Sequence, residues 1–144
     1  MNYTELAKQF LHKFHQFKGY GHHQRIDESM KGENFALLYI LRQNNFVLPS
    51  EIGGEMDISS ARVAAILNSL ENKGLITRQI DKNDRRKILV TLTKEGAEQA
   101  RKHNQMVISL TARILESLGE QDAKELVRIT GRLVELAPII IFSE

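Results

Sequence analysis

The sequence predicts a mainly α domain that carries one small β-hairpin. Apolar residues recur at helical spacing over most of the chain, and the stretch ILVTLT at 88–93 alternates at period two after a polar run. The length of 144 residues suits one domain with a core of its own.

The first helix is expected near the start, where Leu6, Phe10, Phe14 and Phe17 are spaced by four, four and three and so share one stripe. Gly19 and Gly21 interrupt it. A second helix is expected over 33–43, with Phe35, Leu38 and either Leu41 or Leu37 facing inward, until Asn44 and Asn45 end it. Pro49 and Ser50 open a third helix, since proline is tolerated in a first turn. In a fourth, Val63, Ile66, Leu67 and Leu70 keep helical period, and Lys73 with Gly74 supplies a cation and a glycine stop.

LITRQI and ILVTLT then form two strands joined by the polar turn DKNDRRK, with Ile88, Val90 and Leu92 on one face. Thr93 is placed to cap a long helix over 94–118, whose apolar stripe is Met106, Leu110, Ile114 and Leu118. Gly119 breaks it. A last helix from Glu120 carries Leu126, Ile129, Leu133 and Leu136 and runs into the apolar PIIIF at 138–142. The first and last helices offer more apolar surface than the small middle module can cover, so a second copy of the chain is the expected partner.

Two adjacent glycines, Gly53 and Gly54, stand inside the third helix, although each costs about 1 kcal/mol relative to alanine. Two helices that cross steeply through a tight turn give the first of them a purpose. Ile52 supplies an apolar contact, Gly53 the small residue where the backbones meet, and Met56 the next contact. Asp57 tolerates the left-handed turn, while Ile58, Val63 and Ile66 anchor the turn and the fourth helix. Gly54 has no role in this pattern.

The fourth helix has the features of one that enters a DNA major groove. Ser59 stands at its N-cap, and its exposed side carries Ser60, Ala61, Ala64, Ala65 and Asn68. Small residues permit close approach, alanine can touch a thymine methyl, and asparagine can pair with adenine. Arg62 opposes the helix dipole in the first turn, which suits an external anion or a guanine edge as well as it suits an arginine reaching solvent.

Charge points the same way. Residues 58–102 hold ten Lys and Arg against five Asp and Glu, whereas the rest of the chain is net acidic. Lys82, Arg85, Arg86 and Lys87 crowd the hairpin turn beside Asp81 and Asp84. Arginine is drawn to narrow minor grooves, neighbouring cations can neutralise phosphates, and Asp84 can hold an arginine in a fixed pose.

From Leu48 to Gly96 the sequence resembles the winged-helix module of the MarR family of bacterial transcription regulators. The matching stretches are ISSARVAAILNSLENKGLI and DKNDRRKILVTLTKEG, with an Asp-x-Arg element at Asp84 and Arg86 and a Leu-Thr-x-x-Gly exit at Leu92, Thr93 and Gly96. The resemblance implies a winged helix-turn-helix whose N- and C-terminal helices form a dimerisation region. Residues 33–93 would bind DNA, and residues 1–32 and 94–144 would dimerise, within a single domain over 1–144.

It further implies a homodimer on a pseudo-palindromic operator in double-stranded DNA, with half-sites about 34–36 Å apart. The expected contacts are Ser59, Ser60, Ala61, Arg62, Ala64, Ala65 and Asn68 on the recognition helix, and Lys82, Asp84, Arg85, Arg86 and Lys87 on the wing, with Arg86 in the flanking minor groove. Members commonly repress promoters and release them on binding a small effector or on oxidation. Where the N-terminal helices meet the winged module, Phe14, Phe17, Tyr20 and Tyr39 suit a ligand pocket and well-packed core equally. Members often show Thr or Arg on the recognition helix. Here Arg62, Ala64 and Ala65 predict a different operator.

The sequence contains no cysteine, which excludes disulfides, thiolate metal sites and a thiol-oxidation switch and fits a reducing cytoplasm. No segment has the form of a signal peptide or approaches the roughly 18 apolar residues of a membrane span, so no membrane partner is expected. No catalytic residue, cofactor or metal is expected. His12, His15, His22, His23 and His103 form no nucleophile cluster, and IGGEM lacks the Lys and Ser or Thr of a phosphate loop. Two alternatives stay open: a regulator of this fold that senses metal through His12, His15, His22 and His23 with nearby carboxylates, and a helical adaptor that binds no DNA. The adaptor leaves the basic hairpin unexplained.

Overall fold

In a computed structural model, the described residues are 1–19 and 28–143. Their order is α1 (Tyr3–Gly19), α2 (Glu28–Arg42), α3 (Pro49–Met56), α4 (Ser60–Asn72), β1 (Ile76–Ile80), β2 (Ile88–Leu92), α5 (Lys94–Leu118) and α6 (Glu120–Ile141). The chain divides into two compact units, Met1–Ala97 and Glu98–Glu144.

In the first unit, α2, α3, α4 and the hairpin enclose a small core. Leu37, Val47, Ile52, Val63, Leu67, Leu70, Ile76 and Val90 are its fully buried larger side chains. Each contributes about 1.5–3 kcal/mol by leaving water, which is the main force holding this module together. The second helix begins at Glu28, earlier than expected. Its inward stripe is Ala36, Leu37 and Ile40, which selects Leu37 over Leu41. Phe35 is exposed, and Leu38 is only half-buried. The helix turns about 100° per residue, so a stripe through 33, 36, 37 and 40 carries Phe35 off the core face.

Each helix end of the module has a local cause. At the start of α3, the Leu48 N–H donates to Glu51 Oε2 at 3.1 Å. Asp57 ends it with φ 53° and ψ 52°, and the Ile58 N–H reaches back to the Gly53 carbonyl at 3.1 Å. The end of α4 is a Schellman motif: Gly74 takes φ 74°, the Leu75 N–H donates to the Leu70 carbonyl, and the Gly74 N–H donates to that of Glu71. Leu70 and Leu75 are both buried.

The hairpin is antiparallel, with Ile76 opposite Leu92, Arg78 opposite Val90 and Ile80 opposite Ile88. A short bridge, Val47 to Val90, ties it to the approach of α3. Thr93 caps α5 as expected, accepting from the Gly96 N–H at 3.0 Å.

The apolar stripes of the flanking helices are solvent-facing in the single chain. Leu6, Phe10, Phe14 and Phe17 on α1 are all exposed, and the rings of Phe10 and Phe14 stack with centroids 5.8 Å apart. In the second unit, Met106, Leu110, Ile114 and Leu118 on α5 are exposed, as are Leu126, Ile129, Leu133 and Leu136 on α6. Helix α6 continues through Pro138 to Ile141, so most of the apolar PIIIF stretch is helical. Among the described residues, no helix is long and apolar enough to cross a membrane.

Candidate nucleic-acid interface

The turn between α3 and α4 sets the position of α4. A Cβ on Gly53 would lie 3.3 Å from Val63 Cγ2 and 3.5 Å from the Ile58 carbonyl oxygen, so the glycine does mark a close helix crossing. At Gly54 a Cβ would meet nothing within 4 Å. Both glycines line an open cleft of 390 Å³ with Pro49, Ser50, Ile58, Ser60 and Val63.

Ser59 Oγ accepts the Arg62 N–H at 3.2 Å, which fixes the start of α4. Burial of Val63, Ile66, Leu67 and Leu70 turns Ser60, Ala61, Arg62, Ala64, Ala65 and Asn68 to solvent on the opposite side. Arg62 lines an open cleft of 410 Å³ with Gly32, Glu33, Ala65, Ile66, Ser69 and Lys73.

The wing tip is shaped by its two aspartates. Asp81 Oδ1 accepts the Asn83 N–H at 3.0 Å, and Asp84 Oδ1 accepts the Arg86 N–H at 3.1 Å. Both are Asx turns, the local bond that favours aspartate in such loops. Asp84 Oδ1 also accepts from Arg86 Nε at 3.1 Å. These bonds from Arg86, with Lys87 adding charge, hold the Asp84 carboxyl below its usual range. Arg86 is 91% exposed although anchored at its guanidinium, so it is an oriented cation open to solvent. Lys82 and Arg85 are exposed on the same tip, and Arg86 and Lys87 line a cleft of 250 Å³ with Leu48, Pro49 and Ser50 at the start of α3.

Two polar clusters were not foreseen. Arg78 on β1 donates from Nη2 to Asn68 Oδ1 at 2.8 Å and to Glu71 Oε1 at 3.0 Å, and from Nε to Glu71 Oε2 at 3.2 Å. The paired hydrogen bonds lower the Glu71 pKa and raise that of Arg78. Glu71 near the negative end of α4 was the available signal, because a carboxylate there needs a cation nearby. In the second cluster Glu33, buried on α2, accepts from Ser69 Oγ and from Lys73 Nζ, the latter at 2.7 Å. It ties α2 to α4, and nothing in its spacing announced it.

The expected ligand-pocket residues are not drawn into these clefts. Phe14 and Phe17 are exposed, Tyr39 is half-buried on α2, and Tyr20 lies outside the described residues. His12 and His15 are exposed on α1, while His22 and His23 also lie outside the described residues. Among the described residues, no three His, Asp or Glu side chains gather as metal ligands.

A family model described as the MarR family matches residues 33–88. The HTH-type transcriptional repressor MdtR of Bacillus subtilis is 30% identical over 115 residues, which cover 76% of this chain and 74% of that protein. A protein of Thauera aromatica named for transcriptional regulation of the hcr operon is 24% identical over 99 residues, and this chain spans 60% of its length. In fold, the chain is similar to Streptococcus pneumoniae FabT solved in complex with DNA, with a TM-score of 0.63, 20% identity, and 96% and 99% of the two chains covered.

Proposed function

The chain belongs to the MarR family of DNA-binding transcriptional regulators, and from that premise we propose that it is a repressor that grips double-stranded DNA as a homodimer. Helix α4 enters the major groove through Ser59, Ser60, Ala61, Arg62, Ala64, Ala65 and Asn68, and the wing reaches the flanking minor groove. The observation that carries this is the Asp84–Arg86 pair: an arginine fixed in direction, nearly wholly exposed, at the tip of a hairpin. A cation preorganised in this way loses less freedom when it meets a narrow groove. Lys82, Arg85 and Lys87 neutralise phosphates on either side.

Residues 33–93 form the DNA-binding region, and 1–32 with 94–144 the dimerisation region. The exposed stripes of α1, α5 and α6 support that division, since apolar faces of this extent are covered in a working assembly. A small-molecule effector near Phe14, Phe17, Tyr20 and Tyr39 would act by favouring one separation of the two recognition helices over another.

Selection of bound duplexes from random DNA is the direct test. The expected product is an inverted repeat with half-sites about one helical turn apart. Recovery of no shared sequence, or of a single unrepeated site, overturns the proposal.

A further inference from the structure

Asn68 occupies a singular place on α4. Its neighbours along the exposed face, one and two turns earlier, are Ala61, Ala64 and Ala65, so it is the hydrogen-bonding side chain of that stretch. Residue type alone suggests that it reads adenine, accepting from N6 and donating to N7. Such pairing requires the amide oxygen to be available at the groove.

In this fold that oxygen is engaged by Arg78 Nη2 at 2.8 Å. Arginine carries donors only, so the amide has one permitted orientation, with Oδ1 towards Arg78 and the Nδ2 hydrogens directed away from it. Arg78 is itself held, because both Glu71 oxygens accept from its guanidinium at 3.0 and 3.2 Å. Glu71 and Asn68 share α4, so the fork ties β1 to the helix at two points and removes the amide's freedom to flip.

We propose that Arg78 is a specificity-positioning residue that makes Asn68 a donor, so that Asn68 prefers guanine, whose O6 and N7 both accept, or thymine O4, over adenine, whose N7 acceptor stands beside the N6 donor. An adenine N6–H would have to share an oxygen already facing a guanidinium cation. An acceptor meets the free Nδ2 hydrogens directly. The inference rests on α4 lying in the major groove, as proposed above. It assigns Arg78 no contact with DNA, and the residue acts through Asn68.

The test is selection from random duplex DNA with the full-length wild type, Asn68→Ala, Arg78→Met and Arg78→Lys, each first shown to be folded by thermal unfolding. In the wild type, one position per half-site should carry G or T, with a preference of about fivefold or more over A. Asn68→Ala should make that position degenerate. Arg78→Met should relax it towards A while leaving the other positions and the salt dependence of binding unchanged. Arg78→Lys, whose ammonium is likewise donor-only, keeps a cation beside Glu71 and Asn68 and should hold the wild-type preference. A wild-type position that is A and becomes degenerate in Asn68→Ala overturns the proposal, as does an Arg78→Met site identical to that of the wild type. A folded wild type that selects no sequence removes the DNA placement itself, and the proposal with it.

Discussion

A Cβ built on Gly96 would stand 1.9 Å from the carbonyl oxygen of Leu75. The two meet where the first turn of α5 passes the loop that ends α4, and neither side can easily withdraw. The Leu75 oxygen accepts the Thr93 N–H at 3.1 Å, while Thr93 Oγ1 donates to the Gly74 carbonyl at 2.7 Å and accepts from the Gly96 N–H. Gly96→Ala should therefore destabilise the protein by about 2–3 kcal/mol, at the upper end of overpacking costs. Gly131→Ala, where a Cβ meets nothing within 4 Å, should stabilise by about 0.5–1 kcal/mol. Urea unfolding of both variants checks the pair, and a Gly96→Ala midpoint at or above the wild type would contradict the packing.

The adjacent glycines of α3 should separate in the same way. Gly54→Ala gains helix propensity with open space to occupy, so about 0.5–1 kcal/mol of added stability is expected, with DNA binding intact. Gly53→Leu would drive a side chain against Val63, which is 2% exposed, and should cost about 1–3 kcal/mol. Thermal unfolding distinguishes them. Equal effects at the two positions would mean that the crossing is looser than the 3.3 Å approach indicates.

Local chemistry explains what could be read beforehand. Ser59, Asp57, Thr93 and Gly74 announce caps and turns because each meets its demand within a few residues of itself, and the structure uses all four. The Asp84–Arg86 pair was legible for the same reason, being two residues apart. The Arg78–Asn68 and Glu33–Lys73 bonds span 10 and 40 residues, and only the fold brings those partners together. Phe35 is exposed against expectation because period alone does not say which of two overlapping stripes faces the core; the smaller Ala36 and Leu37 lie there instead.

The wing should respond to acid later than an ordinary aspartate would allow. The Asp84 pKa is lowered first by the Arg86 side chain, then by the Arg86 backbone N–H, with Lys87 adding charge and slight burial opposing. A depressed carboxylate contributes stability that is present above its unfolded pKa, about 3.9, and is lost as pH falls through the folded value. The turn should thus remain formed through the ordinary Asp range and open only below it. Carbon-detected NMR titration of Asp84 Cγ should give a midpoint below that of an ordinary aspartate, moving upward in Arg86→Ala. An unshifted midpoint in the wild type would dismiss the pair as a solution feature.

The end of α6 offers a test of the dimer. Ile139, Ile140, Ile141 and Phe142 are each about two-thirds exposed or more, which is costly unless a partner covers them. Deleting residues 138–144 should raise the dimer dissociation constant by about tenfold or more, since even one such side chain represents about 1.5–3 kcal/mol of burial. Sedimentation over a dilution series measures this, and a truncated chain as dimeric as the full one at the lowest concentration would exclude these residues from the interface.

Charge and preorganisation at the wing are separable by two substitutions. Arg86→Ala removes one oriented cation, so operator affinity should fall by about tenfold and the slope of log affinity against log salt should lose about one unit. Asp84→Ala is more telling because it raises the positive charge of the tip while freeing Arg86 from the bonds at Nε and at its backbone N–H. Were the wing only a charged surface, that variant would bind every duplex more tightly. With Asp84 acting to aim the guanidinium, it should instead bind random DNA slightly better and the selected operator several-fold worse, narrowing the ratio between them from both sides. Fluorescence anisotropy with the two duplexes at matched salt reads that ratio. An Asp84→Ala protein that gains equally on both duplexes would leave Arg86 a plain phosphate contact and remove the minor-groove assignment.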